Sequence, residues 1–223
     1  MKKAEAATGK VYVVLTRTGT RVAKMIRMYT REPYSHVSLS FDENLDTLYS
    51  FARRHIHNPL NAGFIEEHID SGIFGMDKRI DCAVYCLEFP QKEYRRIYGL
   101  VQELLCHKEE YSYNFVGLLM VALNRPWSRP KQFFCSEFVA WVLGTAGLSL
   151  TSKEYALMRP EDFRRCLSLY QIYEGKLHEY VDYRSCHRDM DFSSIRRVEY
   201  LRYPEEMQKI VSSQEVWGIH KMA

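Results

Sequence analysis

Between His36 and Phe41 the chain alternates strictly. Val37, Leu39 and Phe41 fall on one side and His36, Ser38 and Ser40 on the other, which predicts a strand with one apolar and one polar face. Upstream, Lys10 to Thr16 is β-branched and aromatic and reads as a first strand. Val22, Met25, Ile26 and Tyr29 recur at helical spacing across Thr20 to Tyr29, and Glu32-Pro33-Tyr34-Ser35 breaks that helix. Asp42-Glu43-Asn44 signals a turn, so Thr47 to Ala52 should return as an antiparallel strand. Gly63 to Ile69 is a further short strand or an excursion, and Cys82 to Phe89 is a strand stopped by Pro90.

Helical periodicity takes over downstream. Tyr94, Ile97, Tyr98, Val101, Leu104 and Leu105 form one stripe in Gln91 to Lys108. Phe115 to Leu123 is apolar without interruption and predicts a more buried helix. Phe134 to Thr145 predicts another, with Val139, Val142 and Ala146 on the face that carries Cys135 and Gly147 as its stop. Leu169 to Tyr183 is strand-like in part, and Met207 to Val211 can add a turn of helix. Strands followed by helices predict an α+β fold, a central antiparallel sheet packed against helices. Beyond Tyr183 the chain becomes more polar and the pattern weakens. The expected organisation is therefore one domain over residues 1–183 and a C-terminal appendage over 184–223.

Composition narrows the function classes. The chain has 223 residues, 46% of them hydrophobic, enough for one substantial core. A net charge of +3 with 26% charged residues and no long basic run gives no nucleic-acid footprint. The longest apolar run, Phe115 to Leu123, falls far short of the ~20 residues a membrane-crossing helix needs, so no stable membrane insertion is expected. Val11 to Leu15 is too short for a signal-peptide core, and the chain as it stands reads as cytoplasmic. The six cysteines show no paired CxxC framework and default to buried or free thiols in a reducing compartment.

One cysteine departs from that default. Cys135 opens a predicted helix, where unpaired backbone N–H groups and the helix dipole favour a thiolate and can also receive an oxyanion. His36 stands on the polar face of a half-buried strand, as a base facing a cleft would. Their distance in sequence is immaterial, because such pairs are defined by geometry.

Tyr34-Ser35-His36-Val37-Ser38-Leu39, followed far downstream by Phe134-Cys135-Ser136-Glu137-Phe138-Val139, resembles the circularly permuted branch of the NlpC-type papain-like cysteine peptidases. In that branch the histidine strand precedes the cysteine helix. Tyr111-Ser112-Tyr113-Asn114-Phe115 is similar to the family's tyrosine-containing segment before the cysteine, and Arg159-Pro160-Glu161-Asp162-Phe163 to its Pro-x-Asp element after the cysteine helix. The resemblance spans roughly residues 10–180 and leaves the appendage unexplained. It implies a permuted papain-like fold with Cys135 as nucleophile and His36 as base, acting on a peptide, amide or acyl substrate through an acyl-cysteine. Cell-wall-type peptides would reach a leaderless chain only as recycled fragments. No cofactor is implied.

The family orients its histidine with a third polar group, often Glu or His, on the following strand. Here that stretch is Leu48-Tyr49-Ser50-Phe51, which makes Ser50 the candidate by spacing; a small strand residue is the competing reading. Tyr34 is a candidate hydroxyl donor near the oxyanion or an aromatic packed beside the strand. Gln132 is a candidate amide donor or merely a polar loop residue. Arg53, in Arg53-Arg54-His55, could put positive charge at the cleft mouth, and a solvated loop explains it as well. His55, His57 and His68 with Cys82 and Cys86 match no structural zinc spacing, so no metal is expected. Two alternatives keep the framework: an acyltransferase or lipid-ester hydrolase, as in the similar lecithin–retinol acyltransferase group, and a weak or inactive binding module, suggested by the missing carboxylate. Oligomerisation is open.

Overall fold

In the computed structural model, which describes residues 8–18, 32–55 and 58–187, the chain starts with β1 (Thr8–Thr16), β2 (His36–Ser40), β3 (Leu48–His55) and β4 (Asn58–Glu67). A short α1 (Gly72–Met76), β5 (Asp81–Pro90) and the long α2 (Gln91–Cys106) follow. Then come β6 (Ser112–Tyr113), α3 (Phe115–Ala122), β7 (Gln132–Phe133), α4 (Cys135–Thr145), α5 (Pro160–Cys166), β8 (Gln171–Lys176) and α6 (Tyr180–Cys186). Among the described residues no helix is long and apolar enough to cross a membrane. The helix expected over Thr20 to Tyr29 and the turn at Met207 to Val211 lie outside the described residues.

Six strands form one antiparallel sheet in the order β4-β3-β2-β1-β5-β8, and β6 and β7 pair as a small parallel ribbon. β1 lies inside the sheet and is buried from Val11 to Thr16, because both faces are covered. Val11, Val13 and Leu15 join Val37, Leu39 and Phe51 in the core beneath α2 and α4. Tyr12 and Val14 join Leu48, Phe74, Cys82, Cys86 and Tyr180 in a second core on the opposite face. α2 contributes Ile97, Val101 and Leu104, the buried part of the predicted stripe. α4 packs against β2 and β3, and every residue from Cys135 to Gly144 is buried.

Two expectations meet a different structure. The apolar helix α3 is not a core helix: of its residues only Gly117 is buried, and Leu119 is 62% exposed. α2 and α4 already fill the sheet face, which leaves α3 at the surface. The boundary expected after Tyr183 falls inside α6, where the Arg184 guanidinium is buried and donates to Glu43 Oε2 at 2.7 Å. This ties α6 to the turn between β2 and β3. Residues 188–223 lie outside the described part.

Candidate active site

Cys135 is the first residue of α4. Phe134 precedes it with extended backbone (φ −104°, ψ 168°) and has no side-chain oxygen to cap the helix. Glu137 instead folds back and accepts the Phe134 N–H at 3.4 Å. The first turn is also pinned by Ser136, whose hydroxyl donates to Met158 O at 2.7 Å. The remaining free N–H groups and the positive end of the helix dipole thus surround the thiol.

His36 opens β2, and the Cys135 sulfur is among the groups that act on its imidazole. Nε2 lies 2.9 Å from Glu67 Oε2 and 3.2 Å from Ser38 Oγ, and the Ser38 hydroxyl donates to the same carboxylate oxygen at 3.1 Å. With Nε2 committed to Glu67, Nδ1 is the nitrogen left for the thiol. Burial opposes protonation of the ring, but the Glu67 carboxylate and the Cys135 sulfur outweigh it and raise the imidazole pKa to about 10. Glu67 ends β4, two strands from β2 and therefore ~10 Å away across the sheet, a gap that a glutamate and a histidine side chain together can span. Phe74 of α1 flanks the imidazole, with ring centroids 6.4 Å apart.

A second group interacts with the sulfur. Burial, then the charge and side-chain interaction of the Cys135 sulfur, hold the Tyr113 phenol well above its usual range. Pairing of β6 with β7 puts Tyr113 opposite Phe133, two residues before the cysteine. Its neighbour Asn114 caps α3, accepting from Gly117 N at 2.8 Å, and its amide donates to Glu137 Oε2 at 3.3 Å. Ser128 Oγ donates to the other Glu137 oxygen at 2.8 Å. Burial raises the Glu137 carboxyl to about 7, partly offset by hydrogen bonds from Ser128, Asn114 and the Phe134 N–H.

The other expected residues take different places. Ser50 does not touch the imidazole: its buried hydroxyl donates to Val37 O at 2.9 Å, a strand-to-strand bond, and the orienting position belongs to Glu67. Tyr34 donates to Glu174 Oε1 at 2.9 Å, on β8, three strands from β2; it packs beside the sheet rather than serving the thiol. Gln132 bonds through its backbone N–H to Arg129 O at 3.2 Å, and no described contact brings its amide to Cys135. Arg53 does line a cleft of about 380 Å³ that also takes in Glu67, Arg54, His68 and Phe74. The Pro-x-Asp element forms the start of α5, with Pro160 at its first turn and Asp162 accepting the Arg159 N–H at 2.9 Å.

Glu67 and Ser38 are the partners that sequence reasoning missed. Ser38 could have been found from the polar face it shares with His36. Glu67 carries no comparable local signal. A scan against protein-family models, a search of curated proteins and a search of solved structures each returned no match.

Proposed function

We propose that this chain is a cysteine-dependent hydrolase with a permuted papain-like, NlpC-type fold, cleaving an amide bond in a peptide or related amide. The observation that carries the reading is the imidazole of His36, held 2.9 Å from Glu67 Oε2 and raised in pKa by that carboxylate and by the Cys135 sulfur. Proton transfer from sulfur to Nδ1 gives a thiolate–imidazolium pair, which the Glu67 carboxylate stabilises. The thiolate attacks the carbonyl carbon, and the oxyanion is met by the Cys135 N–H and the Tyr113 hydroxyl. Imidazolium returns its proton to the departing amine as the C–N bond breaks, leaving a thioester. Water, deprotonated by the same imidazole, then attacks the thioester, releases the acid and regenerates the thiol.

Glu67 supplies the carboxylate whose absence from β3 had motivated the inactive-module alternative. One observation favours a second reading, acyl transfer from or to a lipid: the exposed apolar helix α3 begins two residues after Tyr113. The test uses an electrophilic thiol probe with peptide mapping, needed because Cys106, Cys166 and Cys186 are exposed and will also react. Activated labelling should map to Cys135, disappear in Cys135→Ala, and fall to the background of the exposed cysteines in His36→Ala. Faster labelling of another cysteine, unaffected by His36→Ala, would sink the assignment.

A further inference from the structure

From Phe115 to Lys131 the sequence contains no Asp or Glu, while Arg125, Arg129 and Lys131 cluster at its C-terminal end. Within this stretch Val116, Leu119 and Leu123 are 49%, 62% and 66% exposed, and Trp127 is 38% exposed. Val116, Leu119 and Leu123 are spaced three and four apart and share one helix face.

The geometry is built. α3 ends in a Schellman turn: Asn124 takes the left-handed conformation (φ 52°), its N–H donates to Val121 O at 3.0 Å, and Arg125 N–H donates to Met120 O at 3.1 Å. The chain then folds back until Trp127 O accepts from Asn114 Nδ2 at 2.9 Å. Gly117 permits this closure, since a Cβ there would lie 2.3 Å from Asn114 Nδ2 and 2.7 Å from Trp127 O. Ser128 is held by Glu137, and the Arg129 guanidinium lies over the Trp127 ring, 5.4 Å from its centroid. The result is an apolar prominence with an indole and arginines at its rim, fastened to the first turn of the cysteine helix.

We propose that α3 and the loop through Arg129 form a docking surface for an anionic lipid interface. Leucines at the centre, a tryptophan beside them and arginines outside are the arrangement that seats a protein in the headgroup region without crossing the bilayer. Charge decides between this partner and a second copy of the chain. Anionic headgroups complement the two arginines, whereas a second copy's stretch carries no Asp or Glu with which to pair them. Docking would hold Tyr113 and Cys135 close to the lipid surface. The surface stands independently of the thiol chemistry.

The test is co-sedimentation of the full chain, and of Cys135→Ala, with phosphatidylcholine vesicles with or without about a third phosphatidylglycerol. Both proteins should sediment with the anionic vesicles, and binding should weaken as salt rises. Leu119→Glu/Leu123→Glu should weaken it by about 100-fold, at ~10-fold per leucine. Arg125→Gln/Arg129→Gln, which touches no core residue and keeps the test valid if the leucine variant misfolds, should weaken it by about 25-fold. Recorded in a Trp217→Phe background, a blue shift of tryptophan emission on adding vesicles should vanish in Trp127→Phe, since Trp141 is only 3% exposed. No sedimentation with anionic vesicles overturns the proposal, as does affinity unchanged in a leucine variant that melts like wild type. A lipid-free dimer dissolved by the leucine substitutions assigns the face to a second copy and overturns it too.

Discussion

Glu67→Gln isolates charge from shape. The amide keeps the length of the side chain and can still accept the Nε2–H of His36, so only the negative charge is lost. In the native protein Nε2 and Oε2 are 2.9 Å apart, with the two side chains 10% and 9% exposed. At an effective dielectric of about 20, that separation corresponds to roughly 5–6 kcal/mol of attraction. Desolvating the two ions returns several kcal/mol, which leaves a net of about 3 kcal/mol. Loss of that term should reduce the share of molecules holding the thiolate–imidazolium pair by roughly 100-fold. The assay is the second-order rate of alkylation at neutral pH, with Cys106, Cys166 and Cys186 replaced by serine so that Cys135 dominates the signal. NMR of the His36 ring should show its titration falling from about 10 toward the ordinary imidazole range. The raised imidazole pKa adds stability that is complete below about 6.5 and is lost as pH rises through about 10; the variant should lack that alkaline decline. Unchanged alkylation and an unchanged His36 titration in a folded variant would refute the reasoning, reducing Glu67 to a structural residue.

Other substitutions separate the remaining groups. Ser50→Ala should cost about 1 kcal/mol of stability by leaving Val37 O short of a donor, read from denaturant melts, with the alkylation rate unmoved. Tyr113→Phe should slow acylation by an activated ester roughly 100-fold while leaving alkylation, which develops no oxyanion, within a few-fold. For Glu137, whose pKa rises from 4.5 to about 7, the native state keeps a proton that the unfolded chain has lost. Stability should therefore fall on the order of 3 kcal/mol as pH rises through that window, and Glu137→Gln should flatten the slope in pH-dependent melts.

Local pattern was enough to place elements: the strand at His36 to Ser40, the run from Cys82 to Phe89 and the stripe of α2 appear where periodicity placed them. The alternation at His36 misled about exposure, because β2 is buried on both faces, with the hydroxyls of Ser38 and Ser40 inside rather than on an open polar face. Cys135 at a helix start was equally legible, because N-terminal position follows from helix boundaries. Glu67 was not. Its partnership with His36 depends on β3 lying between β2 and β4, a tertiary relation that reading outward from the histidine strand stops one strand too soon to find. α3 misled for the opposite reason: hydrophobicity measures a preference for leaving water and does not say whether the refuge lies inside the chain. Tyr34 looked like a cleft residue because of its place beside His36, whereas the sheet order sends its hydroxyl to β8.

The position of Glu67 at the end of an outer strand makes the thiol's activation a gauge of strand register. Leu48 opposes Glu67 in the β3–β4 pairing, and the ladder is already irregular between Arg53 and His55. A slip of one residue along β4 would turn Glu67 to the opposite face of the sheet. The hairpin would remain hydrogen-bonded and the fold intact, yet His36 would have no carboxylate beside it. Chemistry at Cys135 thus reports on a pairing two strands away, and strain or ligation at that hairpin could silence the thiol without unfolding anything.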